Sequence, residues 1–499
     1  MRRCPWLVTL AVALSCSAPP PGETPPGEAR AARSAERPNV VVIVVDDLRW
    51  DELGVAGHPF LETPRIDALA RDGAYFANAF NTVPLCSPNR ATILTGQYPS
   101  RHGIFDNIAR NRQSHRLETF PRALQAHGYE TGFLGKWHMG NDPTPRPGFD
   151  DWAAIPGQGR TVDPDLYEDG ALHRVEGYIT DILTDRAVSF IERERDQPFF
   201  LYVSHKAIHP DARQLDDGSV DPSVPSQYIP APRHRGRYED KVLPPRPNVA
   251  AAPGEDKPVL RRALARKHSP ENVAALGAEL DSESGDDTIR RRTEMLLAVD
   301  EGVGRIVEAL ARRGILDDTL ILFTGDNGFF YGEHGLTLER RLPYEESIRA
   351  PLIIRYPALA KAGSRIDGLA ASVDIAPTVL DATGTPIGDH VQGRSLVPLL
   401  QGRTEGWRTS VLVEFYTYEN PFPWLVDMDY RAIRTDRYKY IHWMQYPGEA
   451  ELYDLQEDPY EMRNLAADPA MAGVIEDMRS RLSAEILHAM GLSRAGGSQ

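Results

Sequence analysis

Residues 39–45, Asn-Val-Val-Val-Ile-Val-Val, form an almost unbroken β-branched run, and such a run predicts a strand buried on both faces. Comparable runs at 129–134, 198–204, 319–323 and 351–355 predict further strands, with another over 74–80. Helical spacing of apolar positions separates them at 64–72, 117–127 and 181–195. It is clearest at 290–313, where Met295, Leu296, Val299, Val303, Ile306, Val307 and Leu310 share one face. Pro88 suits the first turn of a helix that Gly96 would close. Strands alternating with helices predict an α/β core. After further helices at 375–382 and 396–400 the pattern changes at Arg403. Short strands at 411–416, 431–435 and 438–443 are spaced for an antiparallel sheet, and 471–490 is amphipathic, so 404–499 reads as a smaller α+β subdomain.

The first 37 residues fit neither part. Met1-Arg2-Arg3 precedes a short apolar stretch and Ser15-Cys16, an arrangement similar to a bacterial lipoprotein signal and its lipobox over 1–16. On this reading the chain is exported to the bacterial periplasm or cell envelope, anchored to membrane only by a lipid on Cys16; an ordinary secretory signal is the alternative. Residues 17–37, rich in Pro, Gly, Ala and Glu, read as a flexible tether. The core then runs over 38–403, with 211–287 an irregular insertion carrying Arg233, His234, Arg235, Arg237, Arg261, Arg262 and Arg266. A solvated loop is the favoured reading of that insertion over a substrate-contacting lid.

A net charge of −15 argues against nucleic-acid binding, so an anionic substrate must meet a local basic pocket. Polar residues gather where the predicted strands stop, which is where sites form in open α/β sheets. Asp46-Asp47 follows the first strand and Gly325-Asp326-Asn327-Gly328 a later one. Two adjacent carboxylates repel unless a cation or bound protons neutralise them. Gly135-Lys136-Trp137-His138 and His205-Lys206-Ala207-Ile208-His209 put cationic groups at two other strand ends, and continued extended geometry would set Lys136 and His138 on one side. Cys86 is one of three cysteines, the others being Cys4 and Cys16. It has no partner once those are removed or acylated, and a place at a helix N-terminus lowers a thiol pKa.

Cys86-Ser87-Pro88-Asn89-Arg90, continuing to Leu94-Thr95-Gly96, resembles the signature of the type I, formylglycine-dependent sulfatases of the alkaline phosphatase superfamily. The likeness runs in order through Arg37-Pro38-Asn39 with Asp46-Asp47, Gly135 to His138, Ser204 to His209, Gly325 to Gly328, Tyr344-Glu345-Glu346-Ser347, and Glu451-Leu452-Tyr453-Asp454 with Asp458-Pro459. It implies a large mixed sheet sandwiched by helices, and a sulfuric ester hydrolase of arylsulfatase type acting on a sulfated small molecule or glycan. It implies that a formylglycine-generating maturation enzyme converts Cys86 to Cα-formylglycine. It also implies a divalent cation, Ca²⁺ with Mg²⁺ as the alternative, on Asp46, Asp47, Asp326, Asn327 and the modified Cys86. Two positions depart from the family pattern: Asn89 stands where Ser is commoner, and Arg340 where a sulfate-binding Lys is usual.

The roles follow from the same resemblance. The hydrated aldehyde attacks sulfur, Asp326 accepts its proton and His209 protonates the leaving oxygen. His138 then deprotonates the second hydroxyl so that sulfate leaves. Lys136, His209 and Arg340 bind the substrate sulfate, Arg90 holds the hydrate and the carboxylates in place, and His334 is either near the pocket or a loop histidine. Two other readings stay open: a phosphonate or phosphate ester hydrolase of the same superfamily, and a non-catalytic lipoprotein that binds sulfated glycans.

Overall fold

The computed structural model describes residues 1, 37–168, 170–212, 221, 226–250, 252–276, 285–337, 339–418 and 422–492. Apart from Met1, the expected export signal, Cys16 and all of the tether but Arg37 lie outside these.

Ten strands form one mixed sheet, and its centre follows from the apolar runs. β1 (Asn39–Val45) pairs in parallel with β8 (Phe199–His205) on one side and β9 (Thr319–Gly325) on the other. β8 continues in parallel to β4 (Glu130–Lys136), and β4 to β5 (Asp151–Ile155). Antiparallel β6 (Asp165–Glu168) and β7 (Ala171–Arg174) finish that edge. Beyond β9 lie antiparallel β10 (Leu352–Arg355), then β2 (Ala74–Phe76) and β11 (Ser364–Ile366). β1 is buried on both faces: Val41, Ile43 and Val45 pack into one helical layer, Val40, Val42 and Val44 into the other. Helix α1 (Asp286–Arg312) supplies much of the first layer through Met295, Leu296, Val299, Val303, Ile306 and Leu310. A separate four-stranded antiparallel sheet joins Ser410–Phe415, Tyr430–Thr435, Tyr438–Trp443 and Glu451–Asp454, against which the helix Ala472–Ala489 packs. Large mixed sheet, flanking helices and small antiparallel sheet are as the sequence and its resemblance imply.

Three expectations need correction. The single strand over 74–80 is two: β2 joins the large sheet, whereas β3 (Ala79–Phe80) pairs with β12 (Ala370–Ala371). The break falls where Ala77 N–H turns to the Ile366 carbonyl and Asn78 Nδ2 to the Asp367 carbonyl, contacts made by residues far along the chain. Strands β5, β6 and β7 were not expected; β6 and β7 are short and partly or fully exposed, and β5, though buried from Trp152 to Ile155, has only Ile155 as a β-branched residue. Finally, the described parts of 211–287 are not an irregular solvated loop. They contain helices at Pro247–Ala250, Pro258–Lys267 and Pro270–Leu276, and Val259, Leu260 and Ala263 are buried with the C-terminal sheet. The insertion's arginines are tie points rather than a substrate cluster: Arg262 pairs with Glu449, Arg266 with Asp427, and Arg233 with Asp181 and Glu301.

Two positions give direct tests of this packing. Gly135 has φ 111°, and a Cβ there would lie 1.9 Å from the Ser204 carbonyl oxygen in the adjoining strand. Gly135→Ala should therefore cost about 2–3 kcal/mol and lower the urea midpoint. His205, at the end of β8, is fully buried, and neither ring nitrogen has a hydrogen-bond partner among the described residues. It is not the cation expected at this strand end, because burial pushes its pKa from 6.5 down to about 4. A base depressed on folding supports stability above its unfolded pKa and loses that contribution as pH falls towards the folded value. His205→Leu should accordingly remove about one proton from the uptake on unfolding between these pH values, read from the pH dependence of the urea midpoint.

Candidate functional site

The parallel register lines up four strand ends, Val45 against both Gly325 and His205, and Gly135 against Ser204. Asp46, Asp326 and Lys136 thus emerge side by side. Against them stands the helix Cys86–Thr95. Pro88 sits in its first turn, where a missing N–H leaves no bond unmade, and Gly96 closes it in the left-handed region with its N–H on Thr92 O (2.8 Å). Cys86 is the first helical residue and only 1% exposed.

Arg90, one turn on, ties the helix to the strand ends. Its Nε and Nη2 reach Asp326 Oδ2 (2.9 and 2.8 Å), Nη2 lies 3.5 Å from Asp46 Oδ1, and Nη1 donates to Lys136 O (2.7 Å) and to Ser204 Oγ. Lys136 Nζ pairs with Asp46 Oδ2 and donates to Gln158 Oε1 (2.5 Å). Asp47 N–H donates to Asp326 Oδ1 (3.0 Å), and Asn327 Nδ2 donates to Asp47 Oδ1 (2.6 Å). Arg340 Nη2 lies 2.9 Å from Asp47 Oδ2, and His209 Nε2 is 4.0 Å from the same oxygen. His209 Nδ1 is 2.8 Å from the Pro210 carbonyl, a bond that assigns the proton to Nδ1 and leaves Nε2 towards Asp47. Ser87 Oγ donates to the His138 carbonyl (2.7 Å), which brings the His138 loop against the Cys86 helix. His138 has φ 67°, so the extended geometry expected to continue from Lys136 stops there.

Electrostatics revise the expectation for the thiol. Burial, reinforced by Asp46, Asp326 and Asp47, pushes Cys86 well above an ordinary cysteine despite Lys136 nearby. Desolvation outweighs the helix terminus, and a reactive thiolate is not the species this pocket favours. Burial together with Asp46 raises Asp326 to about 7 against the pull of Arg90, and burial raises Asp47 in spite of Arg340. Burial also opposes ionisation of Asp46, but Lys136, His209 and Arg90 hold that carboxyl well below its usual range. His209 is pushed well below the usual imidazole value by burial and then by Lys136.

Three carboxylates and an amide so placed form a donor set for a hard cation. One ligand atom each of Asp46, Asp47 and Cys86 fall within 4.8 Å of one another. Among the described residues, Asp46 Oδ1, Asp47 Oδ2 and Asn327 Oδ1 are buried and accept no hydrogen bond, although Arg90 is an ion-pair partner of the first at 3.5 Å and Arg340 of the second at 2.9 Å. Oxygen donors of this kind suit Ca²⁺ or Mg²⁺ and not zinc.

The structure therefore gathers Cys86, Arg90, Lys136, Asp46, Asp47, Asp326, Asn327, His209 and Arg340 in one place. It does not gather His334, which stacks on Tyr344 at 4.1 Å and lies in a second buried cluster with Asn248, Lys257, Glu346 and Glu461. Lys206 is also absorbed, pairing with Asp211 at 2.9 Å and donating to the His209 and Pro210 carbonyls. Sequence reading missed Gln158, which has no motif around it beyond a Gly-rich loop. It also missed what Asn89 does here: Nδ2 donates to Asp326 O (2.5 Å) and Asn81 Oδ1 (2.8 Å), and Oδ1 accepts from Ser372 Oγ (2.6 Å). The residue that departs from the commoner signature is fully satisfied and braces the helix on the Asp326 strand end.

Comparison with known proteins is consistent with this geometry. Residues 38–385 match the sulfatase family model, and residues 332–487 match the C-terminal model of N-sulphoglucosamine sulphohydrolase. The chain is 34% identical to an N-acetylglucosamine-6-O-sulfatase of Bacteroides thetaiotaomicron, over 86% of this chain and 83% of that one. It is 30% identical to the multifunctional alkaline phosphatase superfamily protein PehA of Trinickia caryophylli, over 91% of this chain and 96% of that one. The solved structure of BT4656 in complex with its substrate D-glucosamine-2-N,6-O-disulfate superposes with a TM-score of 0.78 at 29% identity, covering 93% of this chain and all of that one.

Proposed function

The chain belongs to the sulfatase family, and on that premise we propose that it removes a sulfate ester from a sulfated glycan, at the 6-O position of a glucosamine unit. It is a sulfatase within the alkaline phosphatase superfamily. The single observation that carries the mechanistic reading is the position of Cys86, at a helix N-terminus and within reach of the Asp46–Asp47 acid pair. A thiol raised by its surroundings has little use as a nucleophile, whereas an oxygen there would complete an oxygen-rich donor set.

In this reading Cys86 is matured to formylglycine, whose hydrate supplies the attacking oxygen. Asp46, Asp47, Asp326 and Asn327 would hold a divalent cation, which would supply charge neutralisation and polarise the sulfate. The chain's own residues do the rest. Arg90 keeps Asp46 and Asp326 aligned on the strand ends. Lys136, anchored by Asp46 and Gln158, presents a buried ammonium to the sulfate charge, and Arg340 adds a second cation that can bind an oxyanion through two N–H groups. His209 has its Nδ1 proton committed to Pro210, so the proton it delivers to the leaving oxygen is one that Nε2 must first take up to form an imidazolium. His138, on the loop braced against Ser87, is assigned the return proton transfer that frees sulfate.

Peptide mass spectrometry of protein made with the maturation machinery, alongside rate measurements on matched esters, tests both parts. The expected result is a formylglycine mass at Cys86, sulfate release from D-glucosamine-6-O-sulfate, and loss of that activity with a chelator, restored by Ca²⁺. Active protein with an unmodified Cys86 would overturn the mechanism. A clear preference for a phosphonate or phosphate ester would overturn the substrate class.

A further inference from the structure

Phe105, Tyr416 and Tyr418 form an aromatic group at the surface that the site described above does not use. Phe105 packs against Tyr416 and Tyr418 with centroids 4.7 and 5.1 Å apart at about 60°. The two tyrosine rings lie nearly parallel, 6° apart in plane and 5.9 Å between centroids. Tyr416 is fixed from below by the Arg431 guanidinium, 3.9 Å from its ring, and its hydroxyl donates to Glu414 Oε1 (3.3 Å). Phe105 and Tyr416 are half-buried, whereas Tyr418 is 68% exposed. A lone exposed tyrosine needs no explanation. One held in orientation by two other rings presents an oriented, open face.

Its place in the fold gives that face a direction. The segment carrying Phe105 is braced on the catalytic elements, since Asn107 Oδ1 accepts from Ser87 N–H (3.1 Å) and Arg110 N–H donates to Met139 O (3.2 Å). The strand leading to Tyr416 is held on the segment before Cys86, with Glu414 N–H on Thr82 O (2.8 Å). Just beyond Tyr418, Trp424 Nε1 donates to Glu339 Oε1 (2.9 Å) and Tyr430 Oη to Arg341 O (2.9 Å), on either side of Arg340. The platform is therefore set on the same backbone segments that carry Cys86, His138 and Arg340.

We propose that Phe105, Tyr416 and Tyr418 form a saccharide subsite, in which the open face of Tyr418 stacks on the C–H face of a sugar ring of the substrate. This rests on the sulfated-glycan reading and deepens it. Charged groups in the pocket hold the sulfate, and an uncharged ring oriented by its neighbours, on segments tied to those that carry the pocket, holds the sugar.

The test uses the mature, Ca²⁺-loaded enzyme with D-glucosamine-2-N,6-O-disulfate, a tetrasaccharide containing it, and 4-nitrophenyl sulfate. Tyr418→Ala should raise KM for the tetrasaccharide about tenfold, the scale of one stacking contact, with kcat changed less than twofold. Tyr418→Phe, which keeps the ring, should restore the wild-type KM, and Phe105→Ala should reproduce part of the rise. If the wild type cleaves the saccharides and both alanine variants keep its KM, the subsite is overturned and the glycan reading stands. If the wild type cleaves 4-nitrophenyl sulfate but neither saccharide, the glycan reading falls and the subsite falls with it.

Discussion

Cys86→Ala is expected to remove sulfate ester hydrolysis by roughly 10⁴-fold or more while leaving the folded protein intact, because it deletes the attacking atom and little else. The residue is 1% exposed and occupies the first turn of its helix, so alanine keeps the helix, the Pro88 turn and every Arg90 contact. Loss of one small buried group should cost about 1 kcal/mol. The comparison to make is initial rate on D-glucosamine-6-O-sulfate against urea midpoint for the same preparations. A variant that keeps more than a tenth of the wild-type rate would show that the nucleophile lies elsewhere.

Arg90→Met should have the largest effect on stability. Arg90 is buried, and all three of its nitrogens are engaged on Asp326, Asp46, Lys136 O and Ser204. Removing the cation from such a cluster strands two carboxylates in a dry interior, a change that costs about 3–5 kcal/mol. The sign of its pH dependence follows from Asp326, whose carboxyl burial and Asp46 raise to about 7 without a bound cation. A carboxyl raised on folding favours the folded state below its unfolded pKa and loses that contribution as pH rises through the folded value. With a chelator present, the deficit of Arg90→Met should therefore be larger at pH 8 than at pH 5, since at pH 5 Asp326 carries a proton and needs no partner. Arg90→Lys should recover part of the loss, because the charge returns without the fork that spans both carboxylates. Equal urea midpoints for wild type and Arg90→Met at pH 8 would show that Arg90 is not what holds the acid cluster together.

Both predictions concern residues that were visible in the chain before any coordinates. The Cys86–Arg90 signature, the acid pairs at 46–47 and 326–327 and the Lys136–His138 pair could be read because each is local. A motif of a few residues carries its own geometry, and the β-branched runs before them say that they follow buried strands. The same local logic misjudged the thiol. A helix N-terminus lowers a cysteine pKa in isolation, but burial reverses the effect, reinforced by Asp46, Asp47 and Asp326 from strand ends far along the chain.

What escaped the sequence has one common cause, dependence on a distant partner. The strand over 74–80 breaks because Ile366 and Asp367 wait beside it, and nothing within the segment signals their approach. Gln158 holds Lys136 from a glycine-rich loop without any pattern of its own. Asn89 looked like a departure from its family, and the structure makes it a bridge from the nucleophile helix to the Asp326 carbonyl, Asn81 and Ser372. The helices of the 211–287 segment are short and their apolar faces narrow, so their period was lost among the charges that pair across to the C-terminal sheet.

Local sequence sets the buried strands, the Cys86 helix with its proline and glycine ends, and which residue types stand at the strand ends. These depend on backbone preference and on apolar periodicity, both carried within a few residues. The convergence of the strand ends, the poor acidity of the Cys86 thiol and the placement of His334 in another cluster arise from packing across the fold. Those outcomes depend on desolvation and on charges brought together from separate parts of the chain, and folding alone sets both.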